Sequence, residues 1–126
     1  MTDGRRYAFG PGARLRLRAD FRKVFSDGKK FSGRYFSLYV LPDLLEKKIG
    51  FSVRKAIGGS VVRNRLRRRL REFYRLRRQS LKPGLLVVLP RAGAGELSRP
   101  ACEEEIAALL EKAGQWQESG SQKGSQ

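Results

Sequence analysis

FSVRKAIGGSVVRNRLRRRLREFYRLRR, residues 51–78, is the stretch that decides the fold. It begins as the end of a strand, turns through Gly58-Gly59-Ser60 and continues as a helix. Pro83-Gly84 closes that helix, and LLVVLP (85–90) returns as an apolar strand. Strand, helix and strand in this order make a crossover between parallel strands. At 100° per residue, Val62, Leu66, Leu70 and Phe73 form a stripe about 80° wide. Asn64, Arg68, Arg71 and Arg75 fall on the opposite face. Arginines crowd positions 63 to 75 with one acid, Glu72, among them. Like charges at i,i+4 (Arg63, Arg67, Arg71, Arg75) repel one another. A solvated face does not need that repulsion, and a polyanion is the simplest thing to offset it.

The rest of the composition agrees. A chain of 126 residues is one domain with a modest core. Lysine and arginine number 28 against 12 acids, a net charge of +16. That excess fits a nucleic-acid partner first and an anionic membrane surface second. No apolar run reaches the roughly 20 residues of a spanning helix, and the N-terminal residues have no apolar centre of the kind a secretory signal needs. The single cysteine, Cys102, cannot close an internal disulfide, which fits a reducing, cytoplasmic setting. It reads as a small buried helix residue. The chain has no histidine, which removes Ser-His and Cys-His pairs, an imidazole base and Cys/His zinc sites. Glu103, Glu104 and Glu105 are expected on the first turn of a helix, where the dipole favours negative charge. The chain reads as a binder rather than a catalyst.

In chain order, residues 1–13 read as a flexible basic arm, 14–114 as an α/β domain suited to a nucleic-acid partner and 115–126 as a disordered polar tail. A helix is expected from Asp20, its cap, to Asp27, stopped by Gly28. Phe21, Val24 and Phe25 share its face; the phenylalanines are either plain core or also the floor of a groove. KKFSGRYFSLYVL (29–41) pairs strands, with Phe36, Leu38 and Val40 alternating with Tyr35, Ser37 and Tyr39. The tyrosine face is either half-exposed sheet surface or a platform for stacking bases. A second strand carries Ile49, Phe51 and Val53. Ser60 is expected to cap the basic helix, whose free amides suit a phosphate. No GxxxxGK[ST] loop is present, so nucleotide hydrolysis has no support. Ser98-Arg99-Pro100 starts a last helix that buries Cys102, Ile106, Leu109 and Leu110.

The run Gly58-Gly59-Ser60-Val61-Val62-Arg63-Asn64-Arg65-Leu66-Arg67-Arg68-Arg69-Leu70-Arg71-Glu72 resembles the signature of the bacterial ribonuclease P protein subunit family. Asp20-Phe21-x-x-Val24-Phe25-x-x-Gly28 and Arg34-x-Phe36-x-Leu38-Tyr39 match it as well. The resemblance spans roughly residues 14–114. Departures are Ala56, where a second lysine is usual, and Gly59-Ser60, where Asn-Ala is usual.

The resemblance implies an α+β fold: a two-layer α/β sandwich of roughly four strands and three helices, with an unusual left-handed βαβ crossover. It implies the protein subunit of a ribonucleoprotein endonuclease that removes the 5′ leader from precursor tRNA. Cleavage is then carried out by ribonuclease P RNA with magnesium held mainly by that RNA. Arg63, Asn64, Arg65, Arg67, Arg68, Arg71 and Arg75 would face the catalytic RNA. Phe21, Phe25, Phe36, Tyr39, Phe51, Arg54 and Lys55 would line the leader cleft. The partners implied are the RNA subunit and precursor tRNA, with no membrane. The rivals are a ribosomal or other RNA-scaffold protein, and a DNA-binding helix module, which lacks a second helix of helix-turn-helix type.

Overall fold

The computed structural model describes residues 14–15, 18–43 and 45–117. The expected arm over 1–13 and the expected tail over 118–126 lie outside the described residues. The elements in chain order are α1 (Arg18–Asp27), β1 (Lys29–Ser32), β2 (Phe36–Pro42), β3 (Lys47–Phe51), α2 (Ser60–Arg77), β4 (Gly84–Pro90) and α3 (Arg99–Lys112). One four-stranded sheet runs in the order β1-β2-β4-β3. β1 with β2 and β2 with β4 are antiparallel, while β3 and β4 are parallel. Two parallel neighbours need a long connection between them, and α2 is that connection. The α+β architecture of three helices on a mixed four-stranded sheet is as the sequence implies.

Strand alternation sorts the side chains into two cores. Phe36, Leu38 and Val40 of β2, Ile49 of β3, and Leu86 and Val88 of β4 project to one face. They bury there against Leu66, Leu70, Phe73 and Tyr74 of α2 and Cys102, Ile106, Leu109 and Leu110 of α3. The other face carries a smaller core of Leu85 and Val87 with Val24 of α1 and Leu15, flanked by Phe21, Tyr39 and Leu41. The sheet with α2 and α3 makes the two-layer body, and α1 covers part of the reverse. β4 is buried on both sides, which accounts for its unbroken apolar run.

Gly28 lets α1 pass into β1 across one residue. Its N–H donates to Val24 O at 2.9 Å. A Cβ there would stand 2.6 Å from Val24 O and 2.8 Å from Val40 O, so no side chain fits.

Four local expectations change. α1 starts at Arg18, which places Asp20 inside its first turn rather than at the cap. Ser60 is the first helical residue of α2; Gly59 occupies the cap in an extended conformation, without a side-chain bond. α3 starts at Arg99, with Ser98 Oγ accepting from Ala101 N at 3.2 Å. Glu103, Glu104 and Glu105 therefore lie beyond its first turn, and tertiary partners explain two of them better than the helix dipole. Glu105 Oε2 accepts from Tyr35 N (2.7 Å) and Phe36 N (2.9 Å). Glu103 pairs with Arg99 and Arg77.

Finally, residues 115–117 belong to the domain rather than to a tail. Lys82 N donates to Gln115 O and Gln117 N to Ser80 O, each at 2.8 Å. Trp116 packs against the main core and donates Nε1 to Ala107 O at 3.2 Å. An indole can bury its rings and still satisfy its N–H, and that is what anchors this segment.

Candidate nucleic-acid interface

The amphipathic pattern of α2 turns Leu66, Leu70, Phe73 and Tyr74 into the core and leaves the basic residues outside. They are not equivalent. Asn64 and Arg68 are exposed, and Arg67 donates Nη1 to Asn64 Oδ1 at 3.0 Å. Arg68 and Arg71 have no side-chain partner among the described residues. Arg63 turns back towards the Gly-Gly turn, its Nε donating to Gly58 O at 3.1 Å. Arg65 and Arg69 are clamped on the flank facing α3: Arg65 Nη2 donates to Gly95 O at 2.8 Å, and Arg69 Nη1 to Leu97 O at 2.7 Å. Arg75 is bound to Glu72 through both carboxylate oxygens. That hydrogen bonding holds the Glu72 carboxyl below its usual range, with the charges of Arg75 and Arg99 acting in the same direction. Arg77 lies over the Phe73 ring at 4.2 Å.

Of the seven helix positions expected to face RNA, Asn64, Arg67, Arg68 and Arg71 present their groups outward. Arg63 and Arg65 are held by backbone carbonyls, and Arg75 is held by an acid. Guanidinium forks on an exposed helix face match phosphate oxygens in geometry and charge.

The second candidate surface lies on the reverse of the sheet. Phe25, 37% exposed, stands edge-on to Tyr39 with ring centroids 4.7 Å apart. Lys30 Nζ sits 5.7 Å from the Tyr39 ring centre, because Lys30 and Tyr39 are direct partners across β1 and β2. Phe21 packs over Gly50, whose missing side chain makes the room. The arrangement offers aromatic edges and faces beside a cation, which suits an unpaired strand.

Phe36 and Phe51 do not belong to this surface. Phe36 is fully buried in the core under α2 and α3, and Phe51 packs against the same core. The reason is parity: Phe36 alternates with Ser37 on β2, and on β3 it is Gly50, not Phe51, that faces α1. Arg54 and Lys55 are exposed just past the end of β3 and have no side-chain partner among the described residues. Composition and helical spacing do not single out Lys30 or Gly50, which the structure brings to this surface. Their signals were the cross-strand pairing with Tyr39 and a glycine inside a strand.

Among the described residues no three or more Cys, Asp or Glu side chains come together. Cys102 is buried, and burial pushes its thiol above the usual range, so it is not a poised nucleophile.

The family model for ribonuclease P matches residues 9–114. A ribonuclease P protein component from Natranaerobius thermophilus is 40% identical over 101 residues, covering 79% of this chain and 88% of that protein. The structure of the RNase P protein of Staphylococcus aureus superposes with a TM-score of 0.78 at 23% identity, over 82% of this chain and 96% of that one, a likeness of fold. The RNase P protein of Thermotoga maritima superposes with a TM-score of 0.72 at 30% identity, over 79% and 96%. The matched span takes in α1, the whole sheet, α2 and α3, so the chain belongs to the ribonuclease P protein family, the protein components of a ribonucleoprotein of tRNA processing.

Proposed function

We propose that this chain joins ribonuclease P RNA to the 5′ leader of precursor tRNA by holding one on each side of its sheet. The observation that carries the proposal is the pairing of two unlike surfaces on opposite faces: the guanidinium-rich outer side of α2, and the Phe21, Phe25, Tyr39 and Lys30 cluster behind it. Arg67, Arg68 and Arg71 neutralise phosphates of the RNA subunit, and Asn64 adds a short directional contact. Phe25 and Tyr39 stack unpaired leader bases with little sequence readout, while Lys30, Arg54 and Lys55 attract the leader's phosphates. Phe21 positions this platform from the interior.

Bond cleavage falls to the RNA and to magnesium held mainly there, since the chain has no histidine to act as a base near neutral pH. Raising the local concentration of leader beside the RNA increases affinity and lowers the magnesium that cleavage needs. The setting is the cytoplasm, where the lone thiol stays reduced.

The test is precursor-tRNA cleavage by a cognate, folded RNA subunit at low magnesium, with the leader shortened stepwise. The protein should stimulate cleavage, and the stimulation should fade as the leader is removed. Equal affinity of the complex for precursor and mature tRNA would leave an RNA scaffold without a processing role.

A further inference from the structure

We propose that the groove between α2 and α3 is a second phosphate seat, taking a backbone segment of the RNA subunit distinct from the one on the outer face of α2. The inference rests on reading α2 as facing RNA and extends it to a wall contributed by α3. The groove is an open concavity of about 410 Å³ lined by Arg65, Arg68, Arg69, Glu72 and Arg99, a volume that admits a nucleotide-sized group.

Two of its guanidiniums are fixed in place. Arg65 is tied to Gly95 O and Arg69 to Leu97 O, so their remaining donors are oriented before anything binds. Arg68 stands at the lip without a partner among the described residues, and Arg99 forms the opposite wall.

The groove is also short of acceptors. Arg65 Nε is buried with no hydrogen-bond acceptor among the described residues, a state that ordinarily costs stability. The Glu72 carboxylate is already engaged by Arg75 through both oxygens. Glu103 serves Arg99 at 3.1 Å and Arg77 at 3.6 Å together. Along this groove Arg65, Arg68, Arg69 and Arg99 thus stand against one lining carboxylate, Glu72, which is already ion-paired with Arg75. Packing that many forked cations around one concavity is unfavourable without an anion. A phosphodiester supplies unbridged oxygens in the geometry these forks accept. Because α2 already has an outer basic face, RNA engaging both sides grips the helix rather than lying across it.

The experiment measures the affinity of the full-length protein for its RNA subunit over a series of salt concentrations, comparing Arg99→Gln on α3 with Arg71→Gln on the outer face. Arg99→Gln should weaken binding about 3- to 10-fold and reduce the slope of log affinity against log salt by about 0.7–0.9. Arg71→Gln should do the same, and the two losses should multiply in the double variant. Arg99→Lys should keep the slope and recover only part of the affinity. Wild-type affinity and slope in Arg99→Gln, with both reduced in Arg71→Gln, would overturn the groove proposal and leave the outer face standing. No change in either variant would remove the RNA reading of α2 itself.

A second arm titrates the free protein with inorganic pyrophosphate while following the arginine Nε–H resonances by NMR. Shifts at Arg65, Arg69 and Arg99 support an intrinsic phosphate seat; shifts confined to Arg67 and Arg71, on the outer face, refute it.

Discussion

Gly50 has no side chain because the Phe21 ring fills the space where one would go. A Cβ built at Gly50 would stand 2.5 Å from that ring. Gly50→Ala is therefore expected to cost about 1–3 kcal/mol of stability through overpacking and to tilt Phe21 out from under the aromatic surface. Urea denaturation and leader-dependent affinity check it together, and an unchanged midpoint would show that Phe21 moves aside freely. Phe25 and Phe36 make a sharper pair. Both are phenylalanines in the matched motifs, yet one is 37% exposed and the other is fully buried. Phe36→Ala should cost about 3–5 kcal/mol. Phe25→Ala should cost under about 1 kcal/mol, since much of its ring is already in water, while the preference for precursor over mature tRNA drops by about 1–3 kcal/mol. If Phe25→Ala leaves that preference whole, the surface around Tyr39 is not the leader site.

At the scale of elements, the crossover of β3, α2 and β4 was legible because its signals are local. Gly58-Gly59 marks the turn, the stripe of Val62, Leu66, Leu70 and Phe73 marks the helix, and LLVVL marks a doubly covered strand. The side of the sheet that α1 covers was not legible, since a strand apolar on both faces accepts a helix on either. Nor could the arginines of α2 be sorted into free and anchored ones. Arg65 and Arg69 end on the carbonyls of Gly95 and Leu97, and a backbone acceptor 30 or 28 positions away leaves no trace in composition or spacing. Glu105 is the same case with the donor and acceptor exchanged. Its carboxylate ties α3 to the start of β2 through two amides, and the bond depends on where the β1–β2 turn folds. Glu105→Gln keeps an oxygen that can take both N–H groups but removes the charge that strengthens the two bonds, so a loss of about 1–3 kcal/mol is expected. An unchanged denaturation midpoint would mean that water replaces the carboxylate without cost.

Over the whole molecule, a net charge of +16 sets how stability responds to pH. Two buried acids hold their protons more firmly in the folded chain than in the unfolded one. Burial raises the Cys102 thiol above its ordinary 9.0, against a smaller lowering from Arg69. Burial likewise raises the Tyr74 hydroxyl above 10.0, with Arg78 opposing it. A folded-state pKa above the unfolded one leaves stability intact below the unfolded value and removes it as pH climbs through the folded value. Unfolding free energy should therefore begin to fall above about pH 9 as the unfolded thiol ionises first, and fall more steeply above about pH 10 as tyrosine joins. Lysines losing charge in the same range relieve the protein's self-repulsion and act in the opposite direction, so the comparison has to be made between variants. Cys102→Ala keeps every lysine and removes the thiol. Compared with wild type, its pH profile from urea titrations should lack the fall that begins above about pH 9, so that the difference between the two profiles grows from that pH upward. Superimposable profiles would mean that the thiol ionises in the folded chain as readily as in the unfolded one, and that the contact between α2 and α3 around Cys102 opens to water.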